Sequence, residues 1–156
     1  MRIAPHPIRI LLVLLALYAA LAIAPAATAA EQATLVVETA EGRSHAFSVE
    51  VVTTPQEMAL GLMYRTQLAA DAGMLFVYPA PRETSFWMQN TYLPLDMLFI
   101  NDDGVIHHIA KRTVPLSTAP VPSNGPVRAV LEINGGASDR LGIAPGDRVS
   151  WEMHID

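Results

Sequence analysis

At 156 residues, with a formal net charge of −5 and no cysteine, the chain has room for one domain. The missing cysteines exclude disulfide staples, thiol catalysis, cysteine-ligated zinc and a lipoprotein anchor, so stability must come from apolar burial. The acidic balance argues against nucleic acid and anionic lipid as partners, because both require clustered Lys and Arg.

Residues 1–29 have the form of a signal peptide. Arg2, His6 and Arg9 make a basic start, residues 10–23 are an uncharged apolar run, and Ala27-Thr28-Ala29 is a small-x-small site that predicts cleavage before Ala30. Loss of Arg2 and Arg9 with the leader moves the charge of residues 30–156 from −5 to −7. The expected address is the periplasm or the cell exterior, with no stable membrane anchor after cleavage. An uncleaved anchor is the competing reading, since a spanning helix needs roughly 20 apolar residues. Pro25 and the small residues after it break the run as a cleavage region does.

The mature part begins with a hairpin: strands over 34–38 and about 47–52, joined by the turn Ala40-Glu41-Gly42-Arg43. Thr54-Pro55-Gln56-Glu57 is a capping-box start with proline where no amide is needed, and predicts a helix to about Met63 with Met58 and Leu62 facing the core. The methionines at helical spacing read as packing rather than as a soft-metal site. Residues 73–78 form a buried apolar strand closed by Pro79, followed by a loop over 79–83. Further strands are expected over 86–91 and 95–101. Asn101-Asp102-Asp103-Gly104 is a hairpin turn into a strand over 105–113. Residues 114–126, with four prolines, read as a long surface loop. A strand over 127–134, a short helical turn within 135–142 and a half-buried strand over 149–155 close the chain. The implied fold class is mainly β with one or two short helices (α+β), an antiparallel sheet curled into an open barrel or sandwich.

The motifs Gly61-Leu62-Met63 with Arg65, Gly73-Met74-Leu75-Phe76, Phe86-Trp87-Met88, Asn90-Thr91 and Pro94-Leu95-Asp96 occur in order. Leu131-Glu132 with Gly135, and Gly142-Ile143 with Gly146-Asp147, complete the set. Over residues 49–149 the chain resembles the domain of unknown function (DUF) 192 family. Where that family often carries lysine, this chain has Gln89. The resemblance implies a small β-rich domain, often secreted, and brings no activity with it.

The candidate site therefore rests on the residues. In a strand over 86–91, alternation would give Phe86, Met88 and Asn90 one face; in the next strand Asp96 shares a face with Leu98 and Ile100. A carboxylate on an apolar face needs a cation or several donors, and Arg65, just after the helix, offers a planar fork. Arg65, Asn90 and Asp96 are thus expected to form a polar cluster at the barrel mouth, with Trp87 available to stack. The cluster has two readings: a small polar ligand site, or a tie between helix and sheet that satisfies buried backbone groups. Glu132 is a secondary candidate that shares parity with Arg128 and Val130 and would face solvent or pair locally.

His107 and His108 point to opposite faces of a strand and cannot grip one ion, so no metal is expected. No nucleotide or cofactor fingerprint is present, and no cofactor is expected. Three functions remain in view. The first is a non-enzymatic binding or accessory module for a small polar ligand. The second is a hydrolase using Asp96 with Glu132 or a histidine. The third is an interaction domain whose proline-rich loop meets a protein partner.

Overall fold

The computed structural model describes residues 31–153; the signal-peptide expectation and His154 fall outside that range. Alternating apolar residues build the first hairpin, β1 (Glu31–Glu38) and β2 (Ser44–Val52). Helix α1 (Pro55–Leu60) starts as its sequence requires. The Thr54 hydroxyl accepts the Glu57 N–H (3.3 Å), and the Glu57 carboxylate accepts the Thr54 N–H (3.1 Å). It ends at Gly61, whose φ of 48° no helix can continue, so the expected extension to Met63 is a turn instead.

Strand β3 (Ala72–Arg82) runs through Pro79, where a loop was expected. The pairing with β8 (Val127–Asn134) slips between Val77 and Arg82, and this irregularity accommodates the missing amide. The expected strand over 86–91 shrinks to β4 (Ser85–Phe86), which pairs with β7 (Val121–Pro122) inside the proline-rich loop. Asn90 takes a φ of 56°, and the Met88 N–H goes to the Ser117 carbonyl at 2.9 Å, so residues 87–91 are a turn. Their apolar alternation mimics a strand without being one.

The hairpin of β5 (Leu95–Ile100) and β6 (Ile106–Ala110) forms at the predicted turn, where the Asn101 side chain accepts the N–H groups of Asp103 and Val105. Strand β8 (Val127–Asn134), the short helix α2 (Ala137–Leu141) and β9 (Arg148–Met153) complete the chain.

Seven strands form one curled sheet in the order β6-β5-β8-β3-β2-β1-β9. All neighbouring pairs are antiparallel except β2 and β3, which run parallel because the segment carrying α1 crosses between them. A bridge between Val105 and Arg148 brings the two outer strands together at one end, giving a half-barrel.

Both faces of the central strands are buried. The concave face holds residues from all seven strands, among them Leu35, Phe47, Leu75, Leu98, Ile106, Leu131 and Val149. The opposite face of β3, β8 and β5 carries Met74, Phe76, Val130, Met97 and Phe99, covered by Leu62, Met58 and Met88 from the connecting segments. This two-sided burial explains why all six residues of β5 are inaccessible. Gly73 belongs to this arrangement through close approach. A Cβ there would lie 2.6 Å from the Glu132 carbonyl, so no other residue fits between β3 and β8.

Candidate functional site

The expected group of Arg65, Asn90 and Asp96 does not assemble. Asp96 lies on β5, wholly buried, with its side chain turned to the concave face. Its Oδ1 accepts the N–H groups of Arg112 and Gly136, both at 2.8 Å. Its Oδ2 accepts the N–H (2.9 Å) and hydroxyl (2.5 Å) of Ser138. Burial alone would raise its pKa, but these donors, the Ser138 hydroxyl foremost, hold the carboxyl below its ordinary range. Helix α2 begins at Gly136 with no capping side chain of its own, and Asp96 supplies the cap from another strand.

Arg65 turns instead to Glu50 on β2, in a two-pronged ion pair whose hydrogen bonds raise its pKa. Asn90 Nδ2 donates to the Tyr64 hydroxyl at 2.9 Å, and its carbonyl accepts the Tyr64 N–H at 2.8 Å. The three side chains thus serve three different structural joints. The strand reading of residues 86–91 produced the error, because alternation cannot aim a side chain in a turn.

Asp96 and Glu132 are also parted. Asp96 pairs with Ile133 and Met97 with Glu132, so the two carboxyls face opposite sides of the sheet. They cannot divide acid and base work between them. The histidines go separate ways too: His107 Nε2 meets the Ser123 carbonyl at 2.7 Å, and His108 stacks on Phe99 at 5.4 Å. Among the described residues no three His, Asp or Glu side chains gather in a metal-binding group.

What the fold does assemble is a cleft of about 340 Å³ over the second apolar face. Phe76 and Tyr78 of β3 and Glu132 of β8 form its floor. Met58 and Leu62, in and just after α1, form one wall, and Phe86 and Trp87 the other. A second cavity of about 280 Å³ shares Ser85, Phe86 and Trp87 with it, so the two adjoin at Trp87. Trp87 is 51% exposed, a rim residue rather than the core residue that a central strand would have made it.

Glu132 departs furthest from expectation. It is only 4% exposed, where solvent or a local partner was predicted. Its cross-strand neighbours are Met74 on β3 and Met97 on β5, neither able to hydrogen-bond it strongly. Among the described residues its carboxyl has no hydrogen-bond or ion-pair partner. Burial pushes its pKa up to about 8, so the group is largely neutral at pH 7. Tyr78, close enough to feel that charge, has a pKa raised by burial and shares a 3.2 Å hydrogen bond with the Thr84 hydroxyl.

The rim is apolar. The exposed large hydrophobic residues of the described chain are Leu60, Tyr64, Trp87, Tyr92, Val114 and Leu116. They sit in three segments stitched together by backbone bonds from Tyr64 to Asn90, Leu116 to Thr91 and Met88 to Ser117. Tyr64 and Leu116 also hold left-handed φ values of 63° and 64°, an uncommon and strained conformation for large side chains.

Of the residues singled out in the sequence, the cleft therefore gathers Trp87 and Glu132 and leaves out Arg65, Asn90 and Asp96. The α1 wall and the β3 floor were read from sequence only as core. A sequence signal for Glu132 did exist: it is the one charge in the inaccessible run Ala129–Ile133 and shares parity with Val130.

Several solved structures resemble this one, among them the following two. A Sinorhizobium meliloti protein named as a candidate transcription regulator is 48% identical, with a TM-score of 0.76 over 77% of this chain and 93% of its own. A Novosphingobium aromaticivorans protein of unknown function is 45% identical, with a TM-score of 0.73 over 76% of this chain and 84% of its own. No curated protein matches the sequence. The family model DUF192, described as "Uncharacterized ACR", matches residues 36–151. The chain is a member of the DUF192 family.

Proposed function

We propose that this protein is a non-enzymatic binding module that acts in the periplasm or outside the cell and holds a small ligand in the cleft beneath Trp87. The observation that carries this reading is Glu132, a buried carboxyl that lines the cavity and has no hydrogen-bond or ion-pair partner among the described residues. Burying such a group unpaired costs roughly 2–7 kcal/mol. A ligand that supplies the missing hydrogen bond gives that cost a purpose. The cavity lies at the low end of the 300–1,000 Å³ range typical of small-molecule sites, and it has their character of apolar walls with few polar groups. Binding is favoured over catalysis because Glu132 has no second acid–base group bonded to it among the described residues. The expected export rests on the basic start, apolar run and Ala27-Thr28-Ala29 site.

Native mass spectrometry of the full chain, expressed in an exporting bacterium and purified from the periplasm, tests both halves. The expected polypeptide begins at Ala30 and carries a small organic adduct that Trp87→Ala reduces. A chain retaining residues 1–29 would sink the export half. Ligand-free protein that no member of a metabolite panel shifts in melting temperature would sink the binding half.

A further inference from the structure

The ligand's chemistry follows from what does and does not line the cleft. Phe76, Tyr78, Phe86 and Trp87 present aromatic surface, and Glu132 is the acid among them. Among the described residues no Lys or Arg lines the cavity. The nearby cations are otherwise engaged: Arg65 is bound to Glu50, and the Arg82 guanidinium lies over the Tyr78 ring at 5.6 Å. Aromatic faces attract cations through their quadrupoles, and a carboxylate completes the charge pairing. An anionic ligand would meet the reverse of what it needs. Met58 and Met63 in the lining are adaptable apolar surface for a hydrocarbon body.

We infer that the cleft binds an organic cation, an ammonium group on an apolar or aromatic body, with its charge against the Glu132 carboxylate and its body against Phe86 and Trp87. This rests on the reading of the cleft as a ligand site and adds the class of ligand. The proton balance is simple. Free Glu132 carries a proton, the arriving ammonium pairs with the carboxylate, and that proton leaves to solvent. At pH 7, a unit below the Glu132 pKa of about 8, each cation bound should release close to one proton. Other groups facing Glu132 do not blur this. Tyr78 is the titratable group on β3, and its pKa is raised. Next to Glu132, β5 presents Met97. The Glu50–Arg65 pair lies two strands away across Met74, about 10 Å at a strand spacing of roughly 4.8 Å.

The experiment compares benzylammonium with benzyl alcohol, similar in shape and different in charge, on ligand-free protein at pH 7. Trp87 fluorescence reports binding, with Trp87→Phe identifying the signal against Trp151. Calorimetry in two buffers of different ionisation heat counts protons. The expected result is at least about tenfold tighter binding of the amine, with proton release, and loss of that preference in Glu132→Gln while alcohol binding stays within about twofold. Equal binding of the two probes, or a preference that survives Glu132→Gln, would overturn the cation assignment and leave the ligand site standing. Failure of both probes together with failure of the metabolite panel would overturn the assignment along with the site.

Discussion

Asp96 and Glu132 occupy neighbouring strands of one sheet and point to opposite faces of it. Both are buried, and their surroundings drive them to opposite protonation states. Asp96 accepts four hydrogen bonds and stays ionised. Glu132 meets methionine and aromatic surface and keeps its proton.

Glu132→Gln should remove a pH-dependent weakness. The folded pKa of about 8 lies above the ordinary 4.5, so the native state holds a proton that the unfolded chain gives up. Below pH 4.5 both states are neutral and the variant should match the parent. Between pH 4.5 and 8 the parent loses stability progressively, by about 5 kcal/mol in total at 1.36 kcal/mol per pKa unit. The variant should therefore be the more stable protein at pH 8, as urea unfolding at pH 4 and pH 8 would show. Parallel stability profiles for the two proteins would contradict the burial argument.

Asp96→Ala should be severely destabilising at neutral pH. It strands the buried N–H groups of Gly136, Ser138 and Arg112, at a cost of about 3–5 kcal/mol for the set. The sign with pH is the reverse of that for Glu132. The Asp96 contribution is complete above its ordinary pKa and disappears as pH falls through the depressed native value. With both groups acting, the parent's stability should peak in acidic solution, near pH 4, between the ordinary Asp value of 3.8 and the ordinary Glu value of 4.5, and chemical denaturation across pH 3–9 measures it.

Trp87→Ala should separate binding from folding. The indole is half exposed at the rim, so its removal should change the unfolding free energy by less than about 1 kcal/mol. Ligand affinity should fall by about tenfold or more, because the ring is shared by both cavities and supplies contact area. A variant that melts well below the parent would mark Trp87 as part of the fold.

Gly73→Ala should cost about 2 kcal/mol or more, since the new methyl group meets the Glu132 carbonyl at 2.6 Å and the strands must part to admit it. Thermal unfolding read by circular dichroism would show the drop.

Much of the fold was legible in local patterns. The capping box at Thr54 and Glu57, the turn after Asn101 and the alternation in β1, β2 and β9 each follow from nearest-neighbour chemistry. The candidate site was less legible, for a physical reason. Residues 87–91 alternate like a strand, yet their partners are Ser117 and Tyr64, far away in the chain. A carboxylate on an apolar face needs a cation or several donors, and Asp96 takes the donors, from residues 16 to 42 positions away, rather than Arg65. The acid that Arg65 meets, Glu50, looked like an ordinary outward residue of a hairpin. Glu132 reads in sequence as facing solvent or pairing locally, because the helical crossover that covers its face is invisible in the pattern of β8. That crossover also turned one expected antiparallel neighbour into the parallel pair β2–β3.

The first and last strands are neighbours in space. β1 sits between β2 and β9, and the Asp147 carboxylate takes the Ala40 N–H from a residue 107 positions earlier. A ribosome therefore releases a chain whose opening strand has one bare edge until its closing strand emerges. The other five pairings of the seven-stranded sheet need no residue beyond β8, so the outer edge of β1 is the last to be covered as the chain is made.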